Sequence, residues 1–234
     1  MTQTLLLAAV LVTSAFAGAA QDGNGNLADL EQRLRADADD LEAANTYRRA
    51  VIRTGEHDRA IRFFEQLVAA HPRAANAYLN YGFAYVDKIP AAGAITQVIL
   101  ANSALTQFTR AIELERSWIA LYTRGASYLF WPKIFGRARF GITDLEDALR
   151  LQRTQPKRPY HVRTFIALGD GYWKVDDLER ARAIWREGVR EFPGDATLEA
   201  RLSADAATVA RVVEQAFDPA RRVDTDLSEL WSGR

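Results

Sequence analysis

The sequence predicts an all-α solenoid of about four helix-turn-helix units, closed by a C-terminal capping helix. Three observations carry that expectation. From Leu27 onward, apolar residues recur at intervals of three and four rather than two, which is the period of a helix face. Gly82-x2-Tyr85, Gly125-x2-Tyr128 and Gly169-x2-Tyr172 occur at nearly equal separations, the mark of an internal repeat. A second apolar helix follows each of them, with a small and then a large residue, as in Ala104-x3-Phe108 and Ala181-x3-Trp185.

The N-terminus reads as an address. Residues 1–21 carry no charged side chain, and Leu5 to Val12 form a short apolar run followed by Ala15-Phe16-Ala17 and Ala17-Gly18-Ala19. That pattern is a secretory signal peptide over 1–19, with cleavage expected near Gly18 or Ala20. Its h-region is too short for a stable membrane anchor. The expected location is therefore the periplasm or the medium. Residues 20–40 read as a flexible acidic arm with a short helix on Leu27, Leu30 and Leu34.

The repeat array is expected over 41–195, in units 41–74, 75–117, 118–161 and 162–195. In the second, third and fourth units a glycine in the first helix lets its neighbour approach closely. The second helix of the first unit, Ala60-x3-Phe64, ends before Pro72, and that of the fourth ends before Pro193, since proline cannot continue a helix. Units two and three are longer. From Gly82 to Gly125 is 43 residues, and from Gly125 to Gly169 is 44. The extra length falls at Lys88 to Asn102, at Leu129 to Phe140 and at Arg153 to Tyr160. Ile89 to Thr109 holds no charged side chain, so a lengthened, deeply buried second helix is expected there. Residues 196–217 read as one capping helix on Leu198, Leu202, Val209 and Val213. In the final segment to 234, Val223, Leu227, Leu230 and Trp231 suggest a tail that docks back onto the body.

Composition excludes several functions. The chain has 234 residues and 30 side chains of each charge sign, so a strongly basic nucleic-acid binder is not expected. It has no cysteine and only three histidines. That removes disulfides, thiolate metal sites and cysteine nucleophiles. No metal, cofactor or catalytic set is expected. Gly136-x4-Gly141 lacks the lysine of a phosphate loop, and no strand precedes it. Charge is unevenly spread. Asp22 to Glu42 holds seven acids against two arginines, while Trp131 to Arg163 holds eight basic residues against three acidic. Pairing of the two stretches, within or between molecules, is the simplest reading. The second of them joins aromatic to basic residues in Trp131, Lys133, Phe135, Arg137 and Arg139, a candidate edge contact.

The Gly-x2-Tyr, Ala-x3-aromatic and closing-Pro pattern resembles the tetratricopeptide repeat. The fourth unit fits best, through Gly169, Tyr172, Ala181, Trp185, Gly188 and Pro193. The first has Arg48 where the small residue belongs, one 34-residue period before Gly82. The resemblance covers roughly 41–195 and implies a right-handed α-solenoid whose first helices line a concave groove. It places Asn45, Arg49, Asn76, Leu79, Phe83, Tyr122, Arg163, Ile166, Asp170 and Trp173 on that groove. It implies a protein or peptide partner and a non-catalytic scaffold. A carboxylate clamp is excluded, because Ile119 and Thr123 stand where basic residues belong. Two arrangements stay open: a partner segment in the groove, or an accessory subunit of an envelope assembly that uses the edge insertions. Whether Val223 to Trp231 fills the groove is likewise left open.

Overall fold

The computed structural model describes residues 15–203, 205–218 and 223–232, with side chains from Asn26 onward. Residues 1–14 of the expected signal peptide lie outside them. Every regular element described is helical. Helix α1 (Ala15–Ala36) is followed by four pairs: α2 (Leu41–Thr54) with α3 (His57–Ala70), α4 (Ala75–Lys88) with α5 (Ala94–Leu114), α6 (Trp118–Leu129) with α7 (Ala138–Gln152), and α8 (Val162–Lys174) with α9 (Leu178–Glu191). Helices α10 (Ala196–Arg201) and α11 (Ala206–Ala216) cap the array. Each pair also packs on the next, through α3 on α4, α5 on α6 and α7 on α8.

The repeat glycines explain the pairing. A Cβ on Gly82 would sit 2.3 Å from the Phe108 ring, and one on Gly169 would sit 2.1 Å from Trp185 Nε1. Gly125 and Gly141 face each other across α6 and α7, each Cβ within 3.0 Å of the other's backbone oxygen. Only glycine admits the partner helix at these points. Phe64, Phe108 and Trp185 are each 1% exposed or less, and burying a side chain of that kind contributes roughly 2–3 kcal/mol. Helix starts are set locally. Asp40, Ser117, Asp177 and Asp195 each accept a backbone N–H of the first turn, which satisfies an otherwise orphaned donor. Gly55 ends α2 with φ 74°, a left-handed conformation that favours glycine.

Four sequence expectations differ from the structure. The short helix expected on Leu27, Leu30 and Leu34 is present, with Leu27 and Leu34 fully buried against the first pair, but it extends from Ala15 to Ala36 in place of the expected flexible arm. The open end of the array needs such a cover. Among the described residues of the one chain, its acids do not pair with the basic third unit: Glu31 accepts from Tyr47 and Arg59, both at 2.8 Å. The basic residues find nearer acids, as Arg153 does in Glu187. The lengthened α5 is present, but its first half is not buried; Ile95 is 81% exposed. Those first turns face the 89–91 turn and the 130–135 segment across an open cavity instead of packing into the core. Finally, 196–217 is two helices, because Asp205 caps a new one by accepting from Ala207 and Thr208 N–H.

Candidate functional site: a groove occupied by the chain's own tail

Helices α2, α4, α6 and α8 present one continuous face, and the segment 223–232 lies across it. The centre of that contact is Arg48. It is 1% exposed. A buried guanidinium is costly unless its donors are matched. Here Nε donates to Asn80 Oδ1 at 2.8 Å, Nη1 to Asp87 Oδ2 at 2.8 Å, and Nη2 to Asn45 Oδ1 at 3.1 Å and to the Thr225 carbonyl at 2.7 Å. The guanidinium also lies over the Phe83 ring, 4.6 Å from its centroid, a cation–π geometry. Asp87 in turn accepts from the Thr225 hydroxyl.

Asn45 holds the next two tail residues. Its Nδ2 donates to Asp226 Oδ1 at 2.9 Å, and its Oδ1 accepts from the Leu227 N–H at 3.0 Å. Arg49 pairs with Asp226 at 3.0 Å. Burial alone would raise the Asp226 carboxyl, but the Asn45 amide, the Ser228 N–H and Arg49 outweigh it and hold it below the usual carboxylate value. Leu227 is 5% exposed and shares a cluster with Leu79, Phe83, Trp118 and Leu121. Leu230 and Trp231 pack on the rim of the same cluster. Tyr122 stacks on Trp118 at 5.1 Å and borders it. A short 3₁₀ turn over Ser228–Leu230 then brings Glu229 to Arg163 at 3.0 Å. Burial pushes the Glu229 carboxyl up, and Arg163 offsets this only in part.

Of the expected groove residues, Asn45, Arg49, Leu79, Phe83, Tyr122 and Arg163 thus come together on the tail. The other four do not. Asn76 is turned to the start of α2, donating to the Asp39 carbonyl at 2.9 Å. Asp170 is 2% exposed and held by Arg201 of α10 through two hydrogen bonds of 2.6 and 2.7 Å. It ties the cap to α8 and offers nothing to a ligand. Ile166 and Trp173 are half-buried and pack against the core cluster of the last two pairs. Reading helix faces alone missed Arg48 and Asp87. The one signal for Arg48 was its place at a small-residue position.

The edge candidates divide as well. Trp131 is buried, with Arg137 stacked 3.7 Å over its ring and donating to Asn102 at 2.9 Å. Lys133 pairs with Asp176. Phe135 and Arg139 are exposed, and Ile134 beside them is 88% exposed. Val98 and Phe135 meet at one cavity between the two insertions, and Ile95, Ile99 and Ile134 leave further apolar surface exposed on the same two segments.

Solved structures match this architecture. A thermophilic TPR protein of Thermus thermophilus aligns with TM-score 0.56 and 22% identity over 83% of this chain and 94% of its own. MamA aligns with TM-score 0.53 and 17% identity, covering 80% of this chain and 99% of MamA. YrrB, a TPR protein with an unusual peptide-binding site, aligns with TM-score 0.51 and 15% identity, covering 86% of this chain and 88% of YrrB. No protein-family model and no curated protein matches the sequence. The chain has the fold of the tetratricopeptide-repeat proteins, and its departures from that repeat are the Arg48 centre, the two insertions and the docked tail.

Proposed function

We propose that the chain is a non-catalytic protein–protein interaction scaffold, exported to the cell envelope, whose concave groove holds a polypeptide segment. Its own tail occupies that groove until a partner segment displaces it. The observation that carries this reading is the way the tail is held. Arg48 binds a main-chain carbonyl, Asn45 binds a main-chain N–H, and Leu227 fills an apolar site between α4 and α6. These are the elements of extended-peptide recognition: main-chain hydrogen bonds for affinity, side-chain sites for selection. Arg49 and Arg163 favour a partner with acids at the places of Asp226 and Glu229. Other support is limited to the fold and to the peptide-binding character of YrrB, a distant likeness. Export rests on the apolar N-terminal run and the A-x-A sites that follow it.

The test is direct binding. A labelled peptide of residues 223–231 is titrated into the full chain carrying Leu227→Ala, whose own tail is loosened. Saturable binding that Asn45→Ala abolishes is expected. Absence of binding, or binding indifferent to Asn45→Ala, overturns the groove reading. N-terminal sequencing of the exported protein is expected to begin near Gly18 or Ala20; an intact Met1 overturns cleavage.

A second reading, an accessory subunit of an envelope assembly, is favoured by the exposed apolar edge at Ile95, Val98, Ile99 and Ile134. On that reading Ile95→Asp with Ile134→Asp abolishes assembly while leaving binding of the 223–231 peptide intact.

A further inference from the structure

Beside the docked tail lies a cavity of about 290 Å³ that the tail does not fill. The two insertions build it. Ile89 and Pro90 form one wall, Val98 and Ala101 of α5 a second, and Phe130 and Phe135 a third. Its polar groups are already engaged. The Asp87 carboxylate accepts from Arg48 and Thr225, and the Gln97 amide donates to the Ala92 carbonyl. Among the described lining residues no charge is left to hold a polar ligand, which favours an apolar occupant. Size narrows the choice. A cavity of about 150 Å³ takes a benzene ring, whereas drug-sized ligands need roughly 300–1,000 Å³. At about 290 Å³ this one is roomier than a benzene site and admits a large aromatic side chain, and two of its wall residues are phenylalanines, which pair well with another ring.

Its position says what carries that side chain. Val223 borders the cavity yet remains 40% exposed. Two residues on, Thr225 bonds to Asp87 on the cavity wall. The cavity is therefore continuous with the tail contact, at a fixed register from the Asp226 and Leu227 anchors. We infer that the groove's partner is an acidic, aliphatic polypeptide segment lying in the tail's register, with an aromatic side chain at the place of Val223. The tail is the weaker occupant because its valine leaves the aromatic subsite unfilled. This rests on the reading that the groove accepts a segment in exchange for the tail.

The experiment compares two synthetic peptides on the full chain carrying Leu227→Ala: residues 223–231 as they stand, and the same peptide with Val223→Phe. Any residual competition from the chain's own tail weakens both alike, so the ratio of the two constants is unaffected. The larger buried apolar area is expected to make the Phe peptide about tenfold tighter. Filling the cavity with Ala101→Phe should erase that advantage and leave the Val peptide unchanged. Ala94→Phe, at the same cavity's exposed mouth, serves if Ala101→Phe does not fold. Equal affinities on the unfilled chain overturn the aromatic subsite and leave the groove reading standing. Failure of both peptides to bind overturns the groove reading, and this inference with it. Self-association that Ala101→Phe abolishes assigns the cavity to a second copy of the chain and likewise overturns the inference.

Discussion

Leu227→Ala is the perturbation that isolates tail docking. Leu227 is 5% exposed among Leu79, Phe83 and Trp118, and no backbone element of the repeats depends on it. The change removes three carbons. At about 0.8 kcal/mol per buried CH₂, the transfer loss alone is about 2–3 kcal/mol. A core site adds a cavity cost to this, but a tail can leave, so the loss is bounded by its docking free energy. The readout is hydrogen exchange at the Leu227 amide, which donates to Asn45 at 3.0 Å and is buried. A loss of about 2–3 kcal/mol speeds exchange by roughly 30- to 150-fold. Amides of α8, whose packing does not include residue 227, should exchange as before. An unchanged rate over 225–230 would refute the reasoning, as would wild-type tail amides exchanging at free-peptide rates.

Further predictions follow the same logic. Gly169→Ala forces a Cβ to 2.1 Å from Trp185 Nε1, and overpacking of that kind should lower urea stability by about 1–3 kcal/mol; unaltered stability would show that the α8–α9 contact has slack. Arg201→Leu leaves the buried Asp170 carboxylate without the two hydrogen bonds of its ion-pair partner and should cost about 3–5 kcal/mol, whereas adding Asp170→Leu should recover most of it. The check is a double-mutant cycle by denaturation, and simple additivity would contradict it. Burial, with Arg158 nearby, holds the His161 imidazole below the ordinary histidine value of 6.5. The unfolded chain then takes up the proton first, so the stability His161 contributes is full above 6.5 and declines as pH falls below it. Denaturation midpoints at pH 7.5 and 5.5 should converge in His161→Gln; an identical pH slope in wild type and variant would count against it.

The fold was legible because its cause is local and periodic. Gly82, Gly125 and Gly169 each admit a neighbouring helix, and a repeated local need leaves a repeated local sequence. Asp205 also carried a cap signal that the continuous apolar stripe through Val209 concealed. The groove was legible in half. Asn45, Arg49, Tyr122 and Arg163 follow from the groove-facing positions that the repeat resemblance implies, but Asp170 holds such a position too and is consumed by Arg201, 31 residues on. Arg48 looked like a defect in the first repeat. Beside Asn45 and Asn80, its partners Asp87 and the Thr225 carbonyl are 39 and 177 residues away, and the tail contact is beyond anything a periodicity reports. The exposed half of α5 shows the converse limit. An apolar stripe at Ile95, Val98 and Ile99 reads the same whether or not a helix covers it.

The occupied groove is the central claim, and a cross-link tests it most directly. The chain has no cysteine, so introduced thiols report without background. Arg163→Cys with Glu229→Cys replaces a pair in contact at 3.0 Å. A short bis-maleimide at high dilution should close this pair within one chain. Arg182→Cys on the exposed side of α9 with Glu229→Cys should give no product. Equal yields from the two pairs, or links only between chains, would show that the tail is not held in the groove.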